Sequence, residues 1–311
     1  CTSFGLKFLR RNLRYKADDF LQTAWLRFHR RRFTAVREVL GLSGPNWHFL
    51  KTLADHARLL NCSYSVYVVD DYEETSEKLR LEPPGFVHQR VHHYLHAARR
   101  VFAICPGMAE RLAEAYQIKA AIVYPVADQF EATSSSPSTP ERVVYVGSLG
   151  PTYLPQLTEC AALLERLNAN GAHWELHILS TDQKTFQEQL ARYSCARLRW
   201  NLPREELRTA VSTAEVIFVP YTFASEFATT ARTSFPSKFM DAVVSRRPVL
   251  VHAPPYASIV RHLRDNNCPY VAANSADLET LFRERPWQRD TQWQQQYELL
   301  HQRYHSLAAA R

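Results

Sequence analysis

Glycine is scarce in this chain, eight residues in 311. The nucleotide loops of α/β proteins need glycine where backbone must approach a ligand closely, so the few present mark the turns that matter. The six cysteines (Cys1, Cys62, Cys105, Cys160, Cys195 and Cys268) contain no C-x-x-C pair. That spacing argues against a zinc site or a disulfide framework and suits reduced core thiols of a cytosolic protein. No apolar run approaches the length of a membrane span, and no signal-peptide pattern opens the chain. G-x-S-x-G, a Walker loop, H-E-x-x-H and a Cys–His signature are all missing, which removes sequence support for hydrolase, kinase and zinc-protease chemistry. RNP-like, zinc-finger and helix-turn-helix patterns are missing too, so no nucleic-acid partner is expected.

What is present is the composition of a folded protein, 46% hydrophobic and 22% charged, with a net charge of +7. Much of that charge lies near the N-terminus in Arg10, Arg11, Arg14, Lys16, Arg27 and the run Arg30-Arg31-Arg32, interleaved with Phe4, Phe8, Trp25 and Phe28. Such a face suits an anionic ligand or peripheral contact with an acidic inner membrane surface, and equally suits solvated helix faces. The length favours two α/β domains. After the helical, basic opening, the pattern predicts strands over 33–42, 65–69, 101–105 and 120–124, alternating with helices over 47–60, 87–100 and 107–116. The polar stretch 133–140, rich in Ser, Thr and Pro, reads as a linker. A second alternation follows: strands over 142–146, 174–179, 196–200, 216–220, 249–252 and 270–272, with helices between, then an amphipathic helix from 291. The expected division is 1–132, linker 133–140, 141–285 and a C-terminal helix, 286–311, packing back on the first domain. The chain opens on Cys1 rather than Met, as a fragment or trimmed chain would.

The segment Thr233-Ser-Phe-Pro-Ser-Lys-Phe-Met-Asp241 carries the clearest chemistry. Ser234, Pro236 and Ser237 stand where a helix should begin, hydroxyls for the cap and Pro for the first turn. Such an end offers free N–H groups and the positive end of the helix dipole, a seat for a phosphate. Lys238 adds a mobile cation, and Asp241, one turn later on the same face, can accept hydrogen bonds from a sugar diol. The same residues would also serve as a capped surface helix with an ordinary i,i+3 pair. Gly147-Ser148-Leu149-Gly150 leaves the first strand of the second alternation where open α/β sheets bind ligands. It is not G-x-G-x-x-G, and an ordinary strand–helix turn would read alike. Asp70-Asp71 ends a strand of the first domain, where paired carboxylates could hold sugar hydroxyls or assist proton transfer, or cap the following loop. His88, His92 and His96 share a helix face at i, i+4 and i+8, a spacing open to a metal but commoner as a polar face. No metal and no cofactor is expected.

Taken in order, these segments resemble a retaining glycosyltransferase of the GT-B fold, family 4. The likeness rests on Val143-Val-Tyr-Val-Gly-Ser-Leu-Gly150, Trp200-Asn-Leu-Pro-Arg-Glu-Glu-Leu207, Ala214-Glu-Val-Ile-Phe-Val-Pro-Tyr221 and Ser234 through Val251. In the first domain it rests on Val68-Val-Asp-Asp71 and Val101-Phe-Ala-Ile-Cys-Pro-Gly-Met-Ala109, so it spans roughly 33–282. It implies two Rossmann-like, doubly wound domains facing a cleft, the first one partial. It implies a nucleotide-diphosphate sugar on the second domain and a saccharide or lipid-linked acceptor on the first. By position, Asp241 matches the carboxylate that grips the donor ribose, Gly147 and Ser148 the loop near the diphosphate, and Asn201 and Leu202 the turn near the base. Lys238 and Asp71 are the catalytic candidates. The cations that usually follow the first glycine loop are absent at Ser148, Pro151 and Leu154, leaving Lys238 and Arg232 to face the diphosphate. The family's earlier glutamate is Thr233, and the first domain has about half the expected strands. Those departures keep a second reading open, a sugar-nucleotide-binding module without transferase activity. A GT-B epimerase is less favoured, because no paired acid and base stand near the donor seat.

Overall fold

A computed structural model describes residues 22–44, 46–72, 85–125, 140–181, 187–268, 270–289 and 292–309. The chain divides into two compact units, Cys1–Val123 and Tyr124–Arg311. The predicted linker lies outside the described residues apart from Pro140.

In the first unit, residues 22–29 are helical and run into a 3₁₀ turn, Arg30–Phe33. Then come β1 (Glu38–Ser43), α1 (His48–Leu60), β2 (Ser63–Val68), α2 (Phe86–Ala97), β3 (Arg100–Ala103), α3 (Pro106–Tyr116) and β4 (Ala121–Ile122). The strand predicted from residue 33 starts only at Glu38, where β2 begins to offer partners: Glu38 sits opposite Ser63. The four strands pair in parallel in chain order. Gly41 lets α1 lie close, since a Cβ there would stand 2.5 Å from a Leu53 methyl. Its neighbours Leu40 and Leu42 point to the other face of the pleat and are each 60% exposed.

The second unit runs β5 (Glu141–Val146), α4 (Leu154–Ala169), β6 (Trp174–Ser180), α5 (Gln187–Ala191), β7 (Ala196–Trp200), α6 (Arg204–Ser212), β8 (Val216–Pro220), α7 (Ala228–Thr233), α8 (Ser237–Val244), β9 (Val249–His252), α9 (Ser258–Asp265), β10 (Val271–Ala272), α10 (Ser275–Glu284), α11 (Pro286–Arg289) and α12 (Gln292–Ala309). All six strands are parallel in the order β10-β9-β8-β5-β6-β7. The order reverses direction between β5 and β8, the place where doubly wound sheets leave a crevice at their carboxyl edge. Strands β8 and β9 are buried at every position, as a parallel sheet covered on both faces requires.

Two helices were not foreseen. α7 falls inside the expected long loop, because its Thr-rich sequence has weak helix propensity. α10 is fixed by a reciprocal cap: Asp277 N–H donates to the Asn274 side chain at 2.9 Å, and the Asp277 carboxylate accepts Ala273 N–H at 3.0 Å. The final helix α12 buries Trp293, Tyr297 and Leu300 in the second unit. The Tyr297 ring meets Phe239 of α8 edge-on at 6.1 Å, and its hydroxyl accepts the Val249 N–H at 3.0 Å.

Candidate functional site

The carboxyl ends of β5, β6 and β7 and the facing helices α6 and α8 enclose two adjoining crevices. One, about 300 Å³, is lined by Gly147, Ser148, Ser180, Thr181, Asn201 and Leu202, together with Lys238. The other, about 180 Å³, is lined by Arg204, Leu207, Arg208 and Val211 from α6 and by Lys238 and Asp241 from α8. Val146, Leu207 and Lys238 border both.

Each wall has a local cause. The hydroxyl of Tyr145 donates to the Ser148 carbonyl and fixes the loop that leaves β5. A side chain at Gly147 would bring its Cβ within 2.7 Å of that hydroxyl, so glycine is needed here for close approach. Leu149 anchors the same loop by full burial. Asn201 turns the chain off β7 with φ near 49°, a left-handed conformation asparagine tolerates, and its N–H donates to the Ser180 carbonyl at 3.0 Å.

Helix α8 departs in detail from the predicted start. Its N-cap is Pro236, the first helical residue is Ser237, and no side chain caps it. Ser234, expected as a cap, donates its hydroxyl to Tyr221 at 3.2 Å and steadies the approach to the helix. Phe235 is buried against Phe239, Tyr124 and His262 and anchors the same turn. Gly147, Ser148, Asn201, Leu202, Lys238 and Asp241 are thus brought together around the crevices, whereas Ser234, Pro236 and Ser237 border neither.

Lys238 Nζ lies 3.7 Å from Asp241 Oδ2, with both side chains partly exposed. Burial pushes the Asp241 carboxyl above the ordinary aspartate value of 3.8, against the pull of Lys238 and then of Arg204 and Arg208. The partly exposed carboxylate can accept hydrogen bonds from donors brought by a ligand. Arg204 and Arg208 escaped the sequence reading. The signal was available: residues 204, 207, 208 and 211 are spaced i, i+3, i+4 and i+7, one face of a helix.

Other candidates have different surroundings. Arg232 is exposed and stacks its guanidinium on the Tyr256 ring at 4.9 Å. Thr233 is buried and donates its hydroxyl to the Thr229 carbonyl at 2.9 Å. Asp71, in the first unit, is buried and held by the Arg111 guanidinium at 2.8 Å. His88, His92 and His96 do share a face, with the His92 and His96 rings 4.1 Å apart, and His96 Nε2 lies 2.9 Å from the Tyr116 carbonyl. No group of three or more metal-ligating side chains forms among the described residues.

No protein-family model matches this sequence, and no curated protein does either. Solved structures do resemble it. Sucrose-phosphate synthase from Thermosynechococcus elongatus is 12% identical, over 89% of this chain and 75% of that one, with a TM-score of 0.62. A UDP-forming α,α-trehalose-phosphate synthase from Burkholderia vietnamiensis is 11% identical over 96% and 79%, with a TM-score of 0.61. The pneumococcal O-GlcNAc transferase GtfA, solved with UDP and GlcNAc, is 13% identical over 89% and 56%, with a TM-score of 0.59. At these identities the likeness is one of architecture: the chain has the GT-B fold.

Proposed function

We propose that this GT-B chain is a glycosyltransferase that moves a hexosyl group from a nucleotide-diphosphate sugar to a saccharide or lipid-linked acceptor, in surface polysaccharide or glycan biosynthesis. The observation that carries the reading is the pairing of Lys238 and Asp241 on one turn of α8, beside the glycine loop of β5, at the switch point of the sheet. The base and ribose would lie against Asn201 and Leu202, with Asp241 accepting the ribose hydroxyls. The diphosphate would face Lys238, in the first turn of α8, whose ammonium and helix dipole stabilise the charge that grows on the leaving phosphate. Transfer would proceed with retention: the acceptor oxygen attacks the face the diphosphate vacates, and the departing phosphate takes the acceptor proton. Asp71, tied to Arg111, would act in the first unit by shaping the strand end.

Location at the inner membrane surface is part of the same proposal. No helix of the described residues is long and apolar enough to cross a bilayer. Trp25 and Phe28 are exposed on the basic helical segment that ends in Arg30, Arg31 and Arg32, the composition of an interfacial helix.

One observation favours the alternative, a sugar-nucleotide-binding module without transfer. Thr233 replaces a glutamate, and its hydroxyl is already engaged within α7. A transfer assay with several nucleotide sugars separates the two, because donor binding without turnover supports the module. Lys238→Ala should lower turnover about a hundredfold while leaving the melting temperature unchanged, since the side chain is 42% exposed. Undiminished transfer in that variant would remove Lys238 from the mechanism.

A further inference from the structure

A diphosphate needs counter-charge, and Lys238 alone does not supply it. Its ammonium faces the Asp241 carboxylate at 3.7 Å, so the pair is electrically neutral. The loop from Gly147 to Leu154 holds no cation, and Arg232 is engaged with Tyr256. Two further cations come from α6, where Arg204 and Arg208 stand one turn apart on the face that lines the crevice. Arg208 is 27% exposed and contacts Glu205 at 2.9 Å through one guanidinium nitrogen, and Glu205 is itself 79% exposed and well hydrated. The charged side chains that line this crevice are thus three cations, Arg204, Arg208 and Lys238, and one carboxylate, Asp241. Leu207 and Val211 complete the α6 wall and lower the local polarity, which strengthens any ion contact made there.

We infer that Arg204 and Arg208 form the clamp for the donor's diphosphate, replacing the cations missing from the glycine loop. The inference rests on the donor reading above and deepens it. Two guanidinium forks on successive turns match the spread oxygens of a diphosphate better than a single ammonium does. Lys238 is then left with two roles, holding Asp241 in place and meeting the leaving oxygen. The arrangement also makes donor affinity sensitive to salt, because the clamp is partly open to solvent.

Calorimetry on the full chain tests the clamp, with inorganic pyrophosphate, with UDP, ADP and GDP, and with the corresponding nucleosides. Arg204→Gln/Arg208→Gln should weaken pyrophosphate and the preferred nucleoside diphosphate tenfold or more, with nucleoside binding unchanged. Arg204→Lys/Arg208→Lys keeps the charge and loses the forks, so it should fall between, with severalfold weaker binding. If the glutamine pair does not fold, the lysine pair decides the matter. A nucleoside diphosphate bound equally well by wild type and variants overturns the clamp and leaves the donor reading intact. Pyrophosphate weakened by the variants, with no added affinity from any nucleoside, supports the clamp and removes the nucleotide. No binding of either to the wild type overturns both.

Discussion

Strands β1 and β8 are of similar length and both carry bulky apolar side chains, yet they bury them differently. β8, Val-Ile-Phe-Val-Pro, is buried at all five positions, because β5 and β9 flank it and helices cover both faces. β1, Glu-Val-Leu-Gly-Leu-Ser, is an edge strand whose Leu40 and Leu42 stand open to solvent while Gly41 packs against α1 and Ser43 is buried, accepting the Tyr72 hydroxyl. Parallel sheets are ordinarily covered on both sides; the second unit meets the rule, and among the described residues β1 of the first departs from it at Leu40 and Leu42. The difference separates two jobs. The second unit has the buried area to hold a polar crevice rigid, and its six strands bring six separate segments to one edge. The first has four strands to the second's six, and it holds the buried Asp71 carboxylate by an ion pair with Arg111.

The contrast can be broken most decisively in the cores. Phe239→Ala, at a fully buried ring under α8, should cost about 4 kcal/mol in chemical denaturation, whereas Leu40→Ser should stay within about 0.5 kcal/mol. Equal losses at the two positions would mean that the open face of the first unit is covered in solution. Next in size is Asp71→Ala, which strips Arg111 of its buried partner and should cost about 2 kcal/mol without altering affinity for a nucleoside diphosphate. A loss of affinity with stability intact would instead place Asp71 at the donor.

The smallest effect concerns Asp241. Asp241→Asn should lower nucleoside diphosphate affinity about tenfold, a change of about 1.4 kcal/mol. The sign of the stability effect is opposite. Because burial holds the folded carboxyl above 3.8, its relative stabilisation is fully present below the unfolded value and is lost as pH rises through the folded one. At neutral pH the ionised group therefore costs stability, and Asp241→Asn should melt at the same temperature or slightly higher, the difference vanishing in acid. For the same reason, donor affinity of the unmodified protein should fall on acidification sooner than an ordinary aspartate would cause. A flat profile between pH 4 and 7 would detach Asp241 from the ribose.

The layered α/β alternation was legible because each apolar run has a length and period that belong to one element type. β7 and β8 lie where predicted, and most other strands within two residues. α7 was not legible, since Ala-Thr-Thr-Ala-Arg-Thr favours helix only once packing supports it. The order in which strands neighbour one another came through resemblance alone, because pairing is a long-range property no local pattern encodes. At the site, glycine and the Lys238–Asp241 spacing could be read from the chain. The spacing of the α6 arginines puts them on one helix face with Leu207 and Val211, but that this face turns towards α8 is a long-range property.

The hydrogen bond from Val249 to Tyr297 has a practical consequence. The first amide of the strand that follows α8 finds its acceptor on α12, whose Tyr297 ring also meets Phe239. That helix is therefore not a detachable tail, although it comes after every strand. Domain boundaries chosen for expression, grafting or chimaeras should carry the second unit through Leu300, because cutting earlier opens its core from beneath the very helix that presents Lys238.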